Sequence, residues 1–437
     1  MTLGHSLEDK NIIERNLCTM FSREFLNNLT TETGLVKRER KIDPVIMFWV
    51  LTLSFGVRLQ RSLASLKRSY EKESEQSLSD SSWYYRFTPE LVAFLKACVI
   101  HAVEQLAQEQ NRVLSERLNR FEDVLIQDST IVRLHESLYK KWPAARSKKP
   151  AAGVKIGVLV SAIADGPKRI ALYPESTNDL KTLRIGPWIK DRIILLDLGY
   201  YKYQLFTRIS ENKGFFVSRL KTNANPTIIN SNISHRGRSI NVEGRTLQEV
   251  LPKLKRQNLD VNIKVSFKRR SYKSKQKEDQ ETFRMVAIFN EEEEKYHLYI
   301  TNIPCDVLDS REIAELYGAR WDIELIFKEL KSKYALDVVN TTNPQVIEAY
   351  IWIAILTLLI SRRIYTIVRR RNPGKKMVRY TRLRWSTIFA ENASDQLTAI
   401  LNYLGIQRTF ETIASVYDSQ ALDPHVNRHR LTEEWWA

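Results

Sequence analysis

Apolar and polar residues alternate in ways that divide the chain into a helical beginning, a strand-rich middle and a helical end. Within residues 1–115 apolar positions recur at helical spacing. The clearest case opens at Thr88, a predicted N-cap, with Pro89 at the predicted first helical position. Its apolar stripe runs through Leu91, Phe94, Leu95, Cys98 and Ala102. We expect a helical domain in this part of the chain.

From Val124 onward, short apolar runs rich in β-branched residues replace the helical spacing. Runs of this kind predict buried or half-buried strands. The segment "NDLKTLRIGPWIK" between the third and fourth runs has room for a short helix, which predicts several strands followed by a β-α-β unit. The five runs are "VLIQDSTI", "KIGVLVSAIAD", "RIALYPEST", "RIILLDLGYY" and "GFFVSRLK".

Alternating apolar and polar positions over residues 222–303 predict a β-rich insertion, and helical spacing returns at Asp309, where Glu312 completes a predicted capping box. The run "YIWIAILTLLI" is too short to span a bilayer and predicts a buried helix. The predicted fold class is α/β with helical N-terminal and C-terminal regions. The predicted boundaries are 1–115 for a helical domain, 116–221 and 304–345 for the two parts of an α/β core, 222–303 for the insertion and 346–437 for the C-terminal helices.

The charge of the chain narrows the choice of partner. Its 437 residues contain 68 Lys and Arg against 51 Asp and Glu, a net charge of +17. This field favours a polyanion, of which nucleic acid is the commonest, while an acidic membrane surface or simple solubility stays open. The basic segments Lys37–Lys41 and Phe267–Lys277 are candidate DNA contacts, although the second is equally well a soluble hairpin tip.

The cysteines and the N-terminal sequence indicate the type of cellular compartment. The three cysteines, Cys18, Cys98 and Cys305, are widely separated and lack a nearby histidine cluster. This spacing argues against a zinc site and against a disulfide framework. The opening residues show no secretory signal pattern, so we expect a reducing, cytoplasmic compartment without membrane association.

The stretch "YGARWDIELIFKELK" places one carboxylate among rings and bases. If it is helical, Glu324 shares a narrow stripe with Tyr317, Arg320, Trp321, Lys328 and Lys331. A second stripe predicts a core face through Ile313, Leu316, Ile323, Phe327, Leu330 and Tyr334. The simpler interpretation of the first stripe is an exposed helix face with ion pairs, and partners elsewhere in the chain must decide between the two.

Two aspartates stand where predicted strands end. Asp128 follows an apolar run in "VLIQDSTI", and Asp197 follows another in "RIILLDLGYY". Each alone suits a turn or an N-cap, but adjacent strands would bring both carboxylates to one edge of the sheet, where a packed helix adds Glu324. Oxygen-only ligands suit Mg²⁺ or Mn²⁺, and two such ions support phosphodiester chemistry. Asp322 and Glu329 point to other faces of the helix and are interpreted as solvated charges.

These residues resemble the signature of a known family. Asp128, Asp197 and the spacing of Tyr317, Arg320, Glu324 and Lys331 are similar to the D-D-E triad and Y-R-E-K signature of the insertion sequence four family of bacterial cut-and-paste transposases. The resemblance covers about residues 121–337. It implies a ribonuclease-H-like core that is split by the β-rich insertion.

The same resemblance implies a function. Family members cut double-stranded DNA at inverted-repeat ends with two divalent metal ions, usually pass through a hairpin, join the 3′-hydroxyl to target DNA and work as dimers in the bacterial cytoplasm. It implies catalytic, metal-binding roles for Asp128, Asp197 and Glu324, while Tyr317, Arg320 and Lys331 position phosphates. Two other classes stay open, namely a non-catalytic DNA-binding protein descended from a transposase and a metal-dependent nuclease that cuts without joining.

For three further residues, both a structural and a functional interpretation fit the sequence. His135 is expected to be a turn histidine rather than a general base, because metal-bound water needs no such base. Gly153 and Lys155 suit a β-turn as well as a phosphate contact.

Overall fold

The computed structural model describes residues 11–36, 42–55, 62–145, 150–235, 238–239, 241–268, 278–334, 336, 341–371 and 381–406. The basic segment Lys37–Lys41 and residues 269–277 of the second basic segment lie outside these ranges. The described residues belong to two compact units. A helical unit lies within Met1–Val99, Leu330–Val338 and Asn343–Ala437, and a sheet unit lies within Ile100–Glu329 and Val339–Thr342.

The helical unit is built around one long, apolar helix. Its helices are α1 (Ile12–Met20), α2 (Arg23–Glu32), α3 (Pro44–Val50), α4 (Leu63–Ser74), α5 (Asp80–Tyr84), most of α6 (Pro89–Ala107), α12 (Pro344–Arg371) and α13 (Arg382–Tyr403). The predicted start of α6 at Pro89 is confirmed. A hydroxyl hydrogen bond of 2.7 Å from Thr357 to the Thr52 carbonyl oxygen ties α12 to the segment after α3.

Helix α12 contains the apolar run that was predicted to be buried. Within the described residues it is the one helix that is long and apolar enough to cross a membrane by length and composition. Of its apolar window, 83% is buried inside the protein, and residues such as Ile353, Leu356 and Ile360 have no or almost no exposed surface. These values describe a core helix, as the sequence predicted.

One nine-stranded sheet organises the second unit. Its first five strands are β1 (Asp123–Leu134), β2 (Ala152–Ser161), β3 (Gly166–Pro174), β4 (Arg192–Leu196) and β5 (Phe215–Arg219). They lie in the order β3-β2-β1-β4-β5; β1, β4 and β5 run parallel, while β2 and β3 are antiparallel to their neighbours. The short helix α7 (Asp179–Thr182) precedes β4, and α8 (Tyr203–Glu211) joins β4 to β5. The predicted strands and the short helix before β4 are confirmed. The adjacent parallel β-α-β unit is β4-α8-β5 rather than β3-α7-β4, because β1 and β2 separate β3 from β4 in the sheet.

The β-rich insertion continues the same sheet. It contributes β6 (Thr227–Ser231), β9 (Leu259–Lys268), β10 (Glu278–Asn290) and β11 (Lys295–Thr301), together with the small pair β7 (Ser234–His235) and β8 (Arg238–Ser239) and the short helix α9 (Leu247–Val250). Strand β11 pairs with β5, so the order runs on as β5-β11-β10-β9-β6. Nothing local in the sequence indicates the pairing of β11 with β5, which joins residues about 80 positions apart along the chain.

Helix α10 (Ser310–Gly318) begins with the predicted capping box, in which Asp309 accepts from the Glu312 backbone N–H and Glu312 accepts from that of Asp309. The prediction of one continuous helix from Tyr317 to Lys331 is wrong. α10 ends at Gly318, the residue with the poorest helix propensity in this stretch, and α11 (Trp321–Ser332) begins after a turn at Ala319 and Arg320. The predicted core stripe is buried at every position except Leu316, which is half-buried.

A buried ion pair joins the insertion to the segment that leads into α10. Arg284 of β10 donates to both carboxylate oxygens of Asp260 in β9, at 2.9 and 2.5 Å. Its remaining donor group bonds the carbonyl oxygens of Ile303, Pro304 and Leu308, at 3.1, 3.2 and 2.7 Å. The insertion therefore fixes the loop from which the helix pair α10 and α11 starts.

Candidate active site

The register of β1 against β4 brings the two aspartates together. Gln127 lies opposite Leu196 in the parallel ladder, so the next residues, Asp128 and Asp197, lie side by side where β4 ends. The prediction that Asp128 also ends its strand is wrong, because β1 continues to Leu134 and Asp128 still pairs with Val158 of β2. Asp128 is held by the Ser129 backbone N–H, which donates to its Oδ1 at 2.7 Å. Asp197 precedes a single turn, Leu198–Tyr200, and its side chain caps no helix.

Glu324 lies in the first turn of α11, and Arg320 connects it to the first aspartate. The Arg320 guanidinium lies 2.5 Å from Glu324 Oε1 and 3.5 Å from Asp128 Oδ2. Burial raises the pKa of Asp128 to about 6, and the nearby charges of Asp197 and Glu324 add to this rise against the pull of Arg320. The structure thus brings the three predicted acids into electrostatic contact, with one cation between two of them.

The Tyr317 ring packs against the Arg320 guanidinium. The Arg320 guanidinium carbon lies 5.8 Å from the centre of the Tyr317 ring, and that of Arg219 lies 6.0 Å from the same ring. Tyr299 of β11 packs against the ring at 5.4 Å. Tyr317 is only 6% exposed, and burial raises the pKa of its hydroxyl to about 12. The ring therefore fixes the position of Arg320, a contact distinct from the phosphate contact that the sequence suggested.

Arg219 is a residue that sequence reasoning missed. It ends β5 and faces Tyr317, which it can reach because β5 lies between β4 and β11 in the sheet. The available signal was weak: a cation at the end of an otherwise apolar strand, in "GFFVSRLK".

A second polar network holds the loop beside Asp197. Lys155, buried in β2, donates to Asp179 Oδ1 at 2.8 Å and to the Thr177 carbonyl oxygen at 2.5 Å. Ser129 Oγ also bonds Asp179, at 3.3 Å. A Cβ at Gly199 would come within 3.1 Å of Asp179 Oδ2, so a larger residue there would push that carboxylate aside by a few tenths of an ångström. The β-turn interpretation of Lys155 is wrong, because the residue lies within β2, where its ammonium bonds Asp179 and the Thr177 carbonyl oxygen.

The structure also locates two other residues with alternative predicted interpretations, Gly153 and His135. Gly153 also lies within β2 rather than in a turn, and a Cβ there would overlap the Glu175 carboxylate, at 2.2 Å. His135 is exposed and caps the turn Glu136–Leu138, which confirms the turn interpretation.

The rest of α11 presents residues of unequal exposure. Trp321 is 60% exposed, and Lys328 is exposed one turn beyond Glu324. Lys331 lies in the last turn, in the stretch of the helix that belongs to the helical unit. The interpretation of Glu329 as a solvated charge is wrong, because its side chain is fully buried. Asp322 pairs with Arg112 at 3.5 Å.

Comparison with known proteins identifies the family. Residues 119–360, more than half of the chain, match the family model described as a transposase DDE domain. The chain belongs to the DDE transposase family. The expectation of an insertion sequence four type of transposase is confirmed, since the curated relatives are transposases of such insertion sequences.

Individual relatives of this DDE transposase are distant but extensive. The chain is 24% identical over 381 residues to the transposase of insertion sequence element IS231F from Bacillus thuringiensis subsp. israelensis, covering 77% of this chain and 76% of the relative. It is 22% identical to the IS1151 transposase of Clostridium perfringens, covering 80% of both. A piggyBac transposase synaptic complex with hairpin DNA aligns with 98% of this chain and 89% of its own, at 12% identity and a TM-score of 0.45.

Membership of this family implies dependence on a divalent metal ion, and the donor chemistry of the site fits one. Carboxylate oxygens are the ligands that hard cations prefer. Burial is the main cause of the raised pKa of Asp128, and the negative charges of Asp197 and Glu324 add to it; a divalent cation would offset both effects. Across the described residues no three His, Cys, Asp or Glu side chains stand close enough together to hold an ion, and Arg320 supplies the neutralising charge instead.

The raised pKa of Asp128 predicts that Asp128→Asn stabilises the metal-free transposase at neutral pH. The folded-state pKa of Asp128, about 6, lies above its ordinary value of 3.8, so its stabilising contribution is fully present below pH 3.8 and is lost as the pH rises through 6. Urea unfolding in EDTA should show the variant more stable by on the order of 2–3 kcal/mol at pH 7.5 and no more stable near pH 3.5. A control, Glu315→Gln on the exposed face of α10, should show no such difference. Equal stabilities at both pH values would contradict the assignment.

Proposed function

We propose that the chain binds the inverted-repeat ends of an insertion sequence, cuts them by two-metal phosphodiester chemistry that passes through a hairpin, and joins the freed 3′-hydroxyl to target DNA. The observation that carries this proposal is the β1 to β4 register, which aligns Asp128 with Asp197, together with the Arg320 contact that joins Glu324 to them. A protein that only binds DNA has no use for three mutually repelling carboxylates.

In this proposal Asp128, Asp197 and Glu324 are the metal ligands. Two Mg²⁺ or Mn²⁺ ions, when bound, would activate the attacking oxygen and stabilise the departing one. The family type supports dependence on a divalent ion, and the oxygen-only donor set supports these two metals.

The neighbouring side chains hold the DNA. With the acids neutralised by metal, Arg320 is free to turn its guanidinium to a DNA phosphate while the Tyr317 ring keeps its stem in place. Lys328 and Lys331 bind further phosphates. Trp321 stands beside Arg320 with its indole largely exposed, in a position to stack on a base.

The strand order supports a ribonuclease-H-like core. Three antiparallel strands followed by two parallel ones, in the order β3-β2-β1-β4-β5, are the arrangement that the resemblance implies, with the insertion between β5 and α10. We propose the domain roles of the sequence prediction on this basis: residues 1–115 bind DNA ends, 116–221 and 304–345 form the core, 222–303 form the insertion, and 346–437 complete the protein. We further propose a homodimer that pairs two DNA ends in the bacterial cytoplasm, at the nucleoid.

A cleavage assay tests the proposal. Purified protein is incubated with a labelled duplex that carries the element's own end, with Mg²⁺ or with EDTA. The proposal predicts a cut at the element boundary in Mg²⁺ and none in EDTA. Specific binding with no cut in either Mg²⁺ or Mn²⁺ would favour the non-catalytic DNA-binding protein instead.

Trp321→Ala should separate the two steps of cleavage. A hairpin bends the DNA tightly, and the bend is easier if one base leaves the stack, at a cost of a few kcal/mol that stacking on an indole offsets. We expect the variant to nick the first strand at a near-normal rate and to form hairpins slowly, with rescue by an abasic nucleotide at the flipped position. Tyr85→Ala, which removes an exposed ring of the helical unit, is the control. If nicking and hairpin formation decline together, Trp321 has only a structural role.

A further inference from the structure

A groove opens in the sheet unit next to the chain that follows Asp197. We call it the β4–α8 groove. Its two connected parts enclose about 1020 and 460 Å³ and share Lys202, Gln204 and Phe267. Leu198 and Gly199, the two residues after Asp197, form one end, and the groove follows α8 as far as Asn212. The groove therefore begins at the two residues that follow Asp197 in the chain and extends from there along α8.

The lining of the groove is strongly basic. Five cations and a single carboxylate, that of Glu211, contribute to it. All five cations are exposed, and none has an ion-pair partner among the residues that the structure describes. Such an excess of like charge attracts a polyanion. The five are Lys181, Arg184, Lys202, Arg208 and Lys221.

Aromatic rings line the same groove at the end near Asp197. Tyr201, Tyr203 and Phe267 contribute to this part; all three pack partly against the core and are half-buried, so each keeps part of its ring surface accessible. The Tyr201 and Tyr203 rings lie 5.4 Å apart, and the Lys221 ammonium lies 5.2 Å from the centre of the Tyr201 ring. A duplex presents mainly phosphates to a protein groove and keeps its bases stacked inside. Cations combined with accessible rings are instead the features that bind a single DNA strand, through its phosphates and its bases.

We propose that the β4–α8 groove holds the unpaired DNA strand that adjoins the phosphodiester being cut. This inference rests on the proposed function, because it takes Asp197, the residue directly before Leu198 and Gly199 of the groove, as part of the place of cleavage. The nine residues of α8 extend over about 13 Å, which matches roughly four nucleotides of one strand at 3.4 Å each. The cations bind the phosphates of this strand, and the rings stack on its bases.

Binding of simple oligonucleotides in EDTA tests the groove without any cleavage. The probes are fluorescein-labelled oligo(dT) of about twelve nucleotides, within the range of site sizes known for single-strand grooves, an abasic strand of the same length and a duplex of the same length. Fluorescence anisotropy measures the dissociation constant of each at several salt concentrations. The variants are the double substitution Arg184→Ala with Lys202→Ala and, as a matched control, Arg169→Ala, which removes an exposed arginine from β3 outside the groove.

The double substitution should weaken oligo(dT) binding by about tenfold or more. It should also lower the salt slope by about 1.4, since each single-strand phosphate contact contributes about 0.7. The duplex should lose far less affinity, and Arg169→Ala should change neither probe. Wild-type protein should bind the abasic strand at least about fivefold more weakly than oligo(dT), the change expected for one stacked base.

Two results would overturn the inference. One is an equal loss from the double substitution and from Arg169→Ala, and the other is an equal loss for oligo(dT) and duplex. Because EDTA prevents cleavage, this test is separate from that of the proposed function. A protein whose variant loses oligo(dT) binding as expected but which never cuts DNA keeps the groove as a single-strand binding site and refutes the transposase mechanism. A protein that cuts DNA but whose variant shows no selective loss refutes the groove alone.

Discussion

Asp128→Asn, Asp197→Asn and Glu324→Gln will each lower the rate of DNA-end cleavage by more than about a hundredfold, a scale already reached when a metal site loses an outer-shell partner. An amide keeps the size of the carboxylate but loses the negative charge that recruits a divalent cation. Binding of the DNA end should change little, because removing an acid does not weaken phosphate contacts. The measurement is the initial cleavage rate of a labelled end in Mg²⁺, with binding measured in EDTA.

Two exposed acids of the same unit provide matched controls for these amides. Glu315→Gln changes an exposed glutamate on α10, and Asp306→Asn changes an exposed aspartate in the loop before it. Both variants should cut at the wild-type rate. Normal cutting by Glu324→Gln would remove Glu324 from the site and leave the Arg320 contact as an ordinary ion pair.

Arg284→Met should have the largest effect on stability. The Arg284 and Asp260 side chains are 4% and 2% exposed, so removing the cation leaves a buried carboxylate and three carbonyl oxygens without their donor. Breaking a buried pair in this way costs about 3–5 kcal/mol. Urea unfolding of the purified variant measures this loss. Cleavage should also fall under conditions in which the variant is still folded. The loop that Arg284 holds through its carbonyl oxygens leads into α10 and α11, and that part of the chain carries Arg320 and Glu324.

A double substitution and a control make the Arg284 result specific. Asp260→Leu combined with Arg284→Met should be less destabilised than either single variant, since it leaves no buried charge unpaired. Arg256→Met removes one partner of an exposed pair with Glu291, where 3.1 Å separates nitrogen from oxygen, and should cost less than about 1 kcal/mol. A loss of stability from Arg284→Met as small as that from Arg256→Met would contradict the stabilising role of the buried Arg284 and Asp260 pair.

The sequence predicted those features that depend on local pattern. Runs of β-branched residues indicated β1 to β5 and placed Asp128 and Asp197 beside apolar runs. The observed pairing of β1 with β4 is what makes the two aspartates neighbours, and Asp128 lies within β1 rather than at its end. The capping residues Asp309 and Glu312 indicated the start of α10. Each of these signals acts within a few residues, which is why a single sequence contains it.

Features that depend on contacts distant in the chain were not predictable in the same way. Arg320 was expected to face DNA, and only the fold brings it between Asp128 and Glu324. Glu329 shows the same limit, because helical phase assigned it to solvent whereas tertiary packing buries it. The break between α10 and α11 changes the phase of Tyr317 relative to Glu324, so a stripe drawn through one ideal helix could not separate the buried ring from the exposed Trp321.

Joining of a cut end to new DNA tests the central claim most directly, since it distinguishes a transposase from both a nuclease and a DNA-binding protein. Purified protein is mixed with a labelled, pre-cut element end that carries a free 3′-hydroxyl, a supercoiled plasmid and Mg²⁺. The proposed function predicts that label becomes covalently attached to plasmid DNA, that EDTA abolishes this product and that Asp197→Asn does not form it. Binding or cutting of the end with no label transferred to the plasmid, in Mg²⁺ or in Mn²⁺, would contradict it.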